Sequence, residues 1–95
     1  MASKPRRAPG LSDAAYDKEQ TMAVLTPGMY GFVRDIRAPE TMRERLAELG
    51  LLPGTRVDCL FASPMGDPKA YRVRGIVLAV RARDAAAVTL DGVQA

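Results

Sequence analysis

From Thr21 onward, hydrophobic and polar positions alternate in short runs, broken once by a helical spacing. Tyr30 to Ile36 places Tyr30, Phe32 and Arg34 on one face and Gly31, Val33 and Asp35 on the other, the period of a strand, with a bend expected at Gly31. In RERLAELGLLPG, Arg43 to Gly54, the period changes: Met42, Leu46 and Leu49 recur at i, i+4 and i+7 on one helical face. Pro39 suits a first helical position and Glu40 and Glu44 suit the early turns, so a helix is predicted from Pro39 to Leu49. Gly50 supplies the left-handed step that ends it, Leu51 folds back on the last turn, and Pro53 cannot continue it.

Two Pro-Gly turns frame these elements, Thr26-Pro27-Gly28-Met29 and Pro53-Gly54, the second predicted as type II. Thr55 to Phe61 follows as a strand, with Val57, Cys59 and Phe61 on one face. Ala62 to Pro68 is a loop, and Ala70 to Arg74 a short strand with Tyr71 and Val73 on one side. Gly75 marks a bulge or tight bend before Ile76 to Arg81, where Ile76, Leu78 and Val80 share a face. Arg83 to Ala86 is predicted as a tight turn before a last strand, Ala87 to Leu90. The expected fold class is mainly β: a small, strongly bent barrel of about five strands with one α-helix packed over an open end through Met42, Leu46 and Leu49.

Residues 1–20 carry no such periodicity and are expected to be a flexible tail, leaving residues 21–95 as the domain. Ninety-five residues suffice for one modest core, burying roughly 60–65% of the unfolded surface, and not for a deep catalytic cavity. The net charge of +3 divides into +1 on residues 1–20 and +2 on the remainder, too sparse a field for a dedicated nucleic-acid binder. The nearest stacking candidate, Tyr71-Arg72-Val73-Arg74, offers one aromatic where two are wanted, so no nucleic-acid partner is expected.

Histidine is absent, which removes the commonest general base and the commonest transition-metal ligand. Cys59 is the single cysteine and falls on an inward strand face, as an inert core thiol. Neither an acid–base pair nor an activated nucleophile assembles, so no catalytic residue is expected. No ligand set for a metal can be drawn from one cysteine and scattered carboxylates either. No apolar run is long enough to span a membrane, which excludes direct membrane insertion by a helix.

Binding is the class left. The Met65-Gly66-Asp67-Pro68 loop, stiffened by prolines and carrying an exposed methionine, suits recognition or merely joins two strands. Arg43 suits partner contact, or pairs with Glu40 at i,i+3.

The segments LTPGMYGFVRDI, MRERLAELGLLPGTRV and SPMGDPKAYRVRGIVLAVRARDAAAVTL together resemble the ferrous iron transport protein A (FeoA) family, over Thr21 to Leu90. The resemblance implies an SH3-like barrel akin to the C-terminal domain of metal-dependent repressors. It also implies a small cytoplasmic accessory protein that binds and regulates the membrane ferrous iron transporter FeoB. Arg43, Leu46, Gly50, Pro53, Gly54, Pro64, Gly66, Asp67, Pro68 and Gly75 match the family pattern. Leu46, Gly50, Pro53, Gly54 and Gly75 are read as structural from their backbone and packing roles, and Arg43, Met65, Gly66, Asp67, Pro68 and Tyr71 as candidates for the partner surface. No cofactor is implied beyond weak divalent transition-metal binding. The alternative reading is a transition-metal-responsive regulatory domain of the repressor type.

Overall fold

The computed structural model describes residues 20–95, so the expectation for the first nineteen residues lies outside it. A 3-10 turn, Met22–Val24, leads into five strands: β1 (Tyr30–Ile36), β2 (Arg56–Ala62), β3 (Lys69–Val73), β4 (Ile76–Val80) and β5 (Val88–Gln94). Helix α1 (Glu40–Glu48) joins β1 to β2, and the short helix α2 (Ala82–Ala85) joins β4 to β5. The strands form one antiparallel sheet in the order β4-β3-β2-β1-β5. The five expected strands and the one main helix are all present.

The end of α1 is built as its sequence implies. Leu51 N–H donates to Leu46 O at 3.1 Å and Gly50 N–H to Ala47 O at 2.9 Å, the paired bonds of a Schellman stop. Gly50 takes φ +103, and a Cβ there would meet Arg74 Cδ at 3.0 Å and Val73 Cγ1 at 3.4 Å. Glycine is therefore required by the backbone, and its missing Cβ leaves room for the Arg74 side chain of the β3–β4 hairpin. Thr55 N–H bonds Leu52 O at 2.9 Å around Pro53 and Gly54, with Gly54 at φ +90, completing the type II turn. That turn is fastened to β1: Gly54 N–H donates to Val33 O at 2.7 Å and Val33 N–H to Thr55 O at 2.8 Å.

The core comprises Met22, Leu25, Val33, Leu46, Leu51, Val57, Cys59, Tyr71, Val73, Val80, Ala85, Val88 and Leu90. Several expectations need correction. Pro39 stands one position earlier than expected, as the N-cap of α1, because its ψ of 155° is still extended. Leu49 is 38% exposed; Leu51, returned by the Schellman stop, takes the buried place, while Leu46 is buried and Met42 half-buried. Phe61 is 59% exposed, because the β2–β3 register slips between Cys59 and Phe61 and turns it off the inward face.

Arg74 leaves β3 to form, with Gly75, a two-residue hairpin turn with φ of 53° and 81°; Gly75 is thus the tight bend and not a bulge. The expected turn at Arg83 to Ala86 is largely α2. The last strand also runs four residues past Leu90, through Asp91 and Gly92, to pair with the start of β1 across a register shift.

Replacing Gly50 by alanine should cost about 1–2 kcal/mol, set by the positive φ, since the Arg74 side chain can move aside. Urea denaturation checks this, and an unchanged midpoint would contradict the assignment.

Candidate functional site

Two surfaces carry the residues singled out above. The first is an open groove of about 250 Å³ between α1, the end of β1 and the Pro53 turn. Leu51, Leu52, Pro53, Ile36 and Ala47 supply apolar lining, and Asp35, Glu40, Arg43 and Glu44 stand among them. Leu51 is fully buried as the floor, while Leu52 is 45% exposed at the wall. The Gly50 stop generates this shape, since it turns the chain back along α1 and presents consecutive leucines to it.

Arg43 projects from this wall without the Glu40 pair that its spacing allowed: among the described residues no hydrogen bond or ion pair engages its side chain. An unpaired guanidinium beside apolar lining is available to a partner carboxylate or carbonyl.

The second surface is the β2–β3 loop. Met65 is 90% exposed, and Gly66 N–H bonds Ser63 O at 2.8 Å while Ser63 N–H bonds Pro68 O at 3.1 Å, so the loop is internally braced. Asp67 has a structural task. Its Oδ1 accepts the N–H of Ala82 at 2.8 Å and so caps α2 from fifteen residues away. None of Met65 to Pro68 lines the groove that holds Arg43, so the loop and the helix form separate surfaces.

Tyr71 is not a surface residue. It is completely buried, and its hydroxyl donates to Met22 O at 3.0 Å. Strand parity had paired it with Val73, and both point inward. This also removes the stacking platform proposed for Tyr71 to Arg74. Burial pushes its phenol up to about 12. Cys59 is buried as expected, and its thiol is likewise pushed up by burial.

An outward cluster was not foreseen. Arg56 lies over the Tyr30 ring, its Cζ 3.9 Å from the centroid, and its Nη2 meets Asp58 Oδ1 at 2.9 Å. Phe32 packs edge-on to Tyr30 at 6.1 Å between centroids and is 37% exposed. The Asp58 hydrogen bond, the largest influence, holds the Arg56 guanidinium above its ordinary value. The i,i+2 spacing of Arg56 and Asp58, opposite Tyr30 to Phe32 in register, was the available signal.

Among the described residues no group of three or more His, Cys, Asp or Glu side chains is placed to hold a metal ion. With no histidine in the chain and Cys59 inside the core, the donors of the described residues do not fit a histidine- or thiolate-ligated transition metal. No helix among them is long and apolar enough to cross a membrane.

A small five-stranded antiparallel sheet with one principal helix defines an SH3-like domain. The FeoA domain model matches residues 20–91, and the chain belongs to that family, an accessory domain of ferrous iron transport. The solution structure of FeoA from Chlorobium tepidum is 30% identical, with a TM-score of 0.70 over 75% of this chain and 68% of that one. FeoA from Stenotrophomonas maltophilia, crystallised with zinc and described as a procaryotic SH3 domain protein, is 26% identical, with a TM-score of 0.68 over 76% and 89%. A manganese-dependent transcriptional repressor with manganese bound shares the fold at 17% identity, with a TM-score of 0.69 over 77% and 36%.

Alkaline pH should weaken this fold. Both raised groups favour the folded state while protonated, so their contributions are intact at neutral pH. The Cys59 contribution begins to be lost above pH 9, and that of Tyr71 between pH 10 and about 12, by up to roughly 2–3 kcal/mol for the tyrosine. Tyr71→Phe should lose about 1 kcal/mol at pH 7, a modest figure because Leu25 N–H still bonds Met22 O, and should flatten the decline above pH 10. Denaturant midpoints across pH 7–11.5 check both; an equally steep alkaline decline in the variant contradicts the assignment.

Proposed function

We propose that the protein regulates ferrous iron uptake by binding the cytoplasmic domains of the membrane transporter FeoB through protein–protein contact. The observation that carries this reading is the groove beside α1, where an unpaired Arg43 stands next to exposed Leu52 and a buried leucine floor. Membership of an accessory family of ferrous iron transport supplies the choice of partner. The braced loop with Met65 at its tip is a second contact of the same kind, a flexible apolar side chain on a fixed backbone. Gly66 and Pro68 shape that loop, and Asp67 anchors it to α2, so their part in binding is to present Met65.

The metal-responsive alternative draws no support from the donors of the described residues, and the likeness to the manganese-dependent repressor is a likeness of fold alone. Calorimetric titration with ferrous iron and zinc separates the readings, because saturable micromolar binding would favour the sensor.

The partner reading predicts that immobilised FeoB cytoplasmic domains retain this protein. Arg43→Glu or Leu52→Asp should reduce retention at least tenfold, equivalent to about 1.4 kcal/mol, with the circular dichroism spectrum unchanged. Met65→Ala tests the loop without touching the α2 cap, and Asp67→Asn removes the charge while keeping the accepting oxygen. Failure of the wild type to bind at micromolar concentration would sink the proposal.

A further inference from the structure

The two edges of the sheet are treated differently. At the β5 edge, Leu90 N–H donates to Gln20 O at 2.7 Å and Thr21 bridges Thr89, while Asp91 and Gly92 interrupt the strand's apolar run. Among the described residues the β4 edge has no such cover. Its sequence, IVLAV, holds no charge, proline or glycine, and its register with β3 is unbroken from Val73↔Ile76 to Lys69↔Val80.

The two-residue Arg74-Gly75 turn makes Val73↔Ile76 a hydrogen-bonded pair. The antiparallel alternation then makes Arg72↔Val77 and Ala70↔Ala79 non-hydrogen-bonded pairs. The N–H and C=O groups of Val77 and Ala79 therefore point away from β3, and no backbone bond among the described residues takes them up. Val77 is 54% exposed and Ile76 56% exposed. An uncharged, uncovered apolar edge is a template for another strand.

The surroundings of this edge say which strand. Arg72 lies cross-strand from Val77, Arg74 sits in the turn, and Arg81 follows Ala79 by two residues, with Arg83 beyond it in α2. All four are exposed, and none of their side chains makes an ion pair or hydrogen bond among the described residues. A second copy is a poor occupant. Antiparallel pairing of two β4 strands through Val77 and Ala79 sets Arg81 of each beside the Arg74-Gly75 turn of the other, cation against cation. Nucleic acid would answer the charge but has no use for four aligned peptide groups.

We propose that β4 is a docking edge for an extended acidic segment of a partner protein, which adds as a sixth strand. The segment bonds the free peptide groups of Val77 and Ala79, and its carboxylates face Arg72, Arg74 and Arg81. This surface is distinct from the α1 groove, and the proposal stands whichever protein supplies the segment.

The test is fluorescence anisotropy of the full chain with a labelled octapeptide of alternating valine and glutamate. Saturable binding is expected, with slowed hydrogen exchange at the Val77 and Ala79 amides. Ala79→Pro deletes an N–H that faces solvent and not the ladder, so the sheet survives; its affinity should fall at least tenfold with the melting temperature held. A proline-interrupted peptide against the wild type asks the same question without altering the protein, and should also bind at least tenfold more weakly. Arg72→Glu with Arg81→Glu should transfer the preference to a valine–lysine peptide. The proposal is overturned if the valine–glutamate peptide does not bind, or if the interrupted peptide binds equally well. Tighter binding of a single-stranded oligonucleotide, or a sedimenting dimer abolished by Ala79→Pro, would also overturn it by giving the edge to another occupant.

Discussion

The close approach at Gly50 is the constraint on which the arrangement depends. With no Cβ, the residue that ends α1 lies against the Val73 and Arg74 side chains of the β3–β4 hairpin, and its positive φ returns Leu51 to the core. Three residues on, the Pro53-Gly54 turn is bonded to Val33 of β1. The end of the helix is thus held between opposite parts of the sheet. Only Leu46 of the helix is fully buried, so the clamp, more than the helical face, holds α1 in place.

A second set of ties closes the other side. Tyr71 hydroxyl and Lys69 Nζ, both from β3, reach the carbonyls of Met22, Ala23 and Leu25, with Lys69 at 2.9 Å and 2.6 Å from the last two. Met22 O also accepts the N–H of Leu25, while the Ala23 and Leu25 carbonyls depend on Lys69, and burying such groups unpaired would be costly. These bonds let Met22 and Leu25 enter the core completely buried, and they bring the chain before β1 beneath the sheet. Gln20 and Thr21 then reach β5, so one edge is covered as a by-product of closing the core. Among the described residues nothing comparable is drawn across β4.

Much of this was legible wherever one local rule sufficed. The Schellman stop, both Pro-Gly turns and the positions of five strands follow from residue types at fixed short spacings. What escaped depended on partners distant in sequence. Helix α2 has too few residues for periodicity, and its cap, Asp67, lies fifteen positions away. Parity placed Tyr71 with Val73 and Phe61 with Cys59; it could not show that both members of the first pair point inward, or that a register slip would turn Phe61 out. The Arg56–Tyr30 stack likewise depends on cross-strand register, which the spacing within either strand does not specify. Of the candidate surface residues, Arg43 and Met65 are exposed as their use requires, Asp67 has structural work, and Tyr71 belongs to the core.

Histidine is absent and Cys59 is buried, so among the described residues shape, charge and exposed peptide groups are the features that a partner can read. Each surface uses a different one of these. Among the described residues, the α1 groove offers apolar depth beside one unpaired guanidinium, the Tyr30–Phe32–Arg56 cluster an edge-to-face aromatic pair under a cation already neutralised by Asp58, and β4 a row of free backbone groups among arginines. Of the three, the aromatic cluster is the poorest anchor. Its cation is already committed to a ring and a carboxylate, so a partner would have to displace contacts before gaining any. The groove and the β4 edge present groups that forgo only water, and a gain in either costs the fold nothing. Since the Gly50 clamp holds α1 and the β3–β4 turn together, both surfaces are positioned by the same backbone stop.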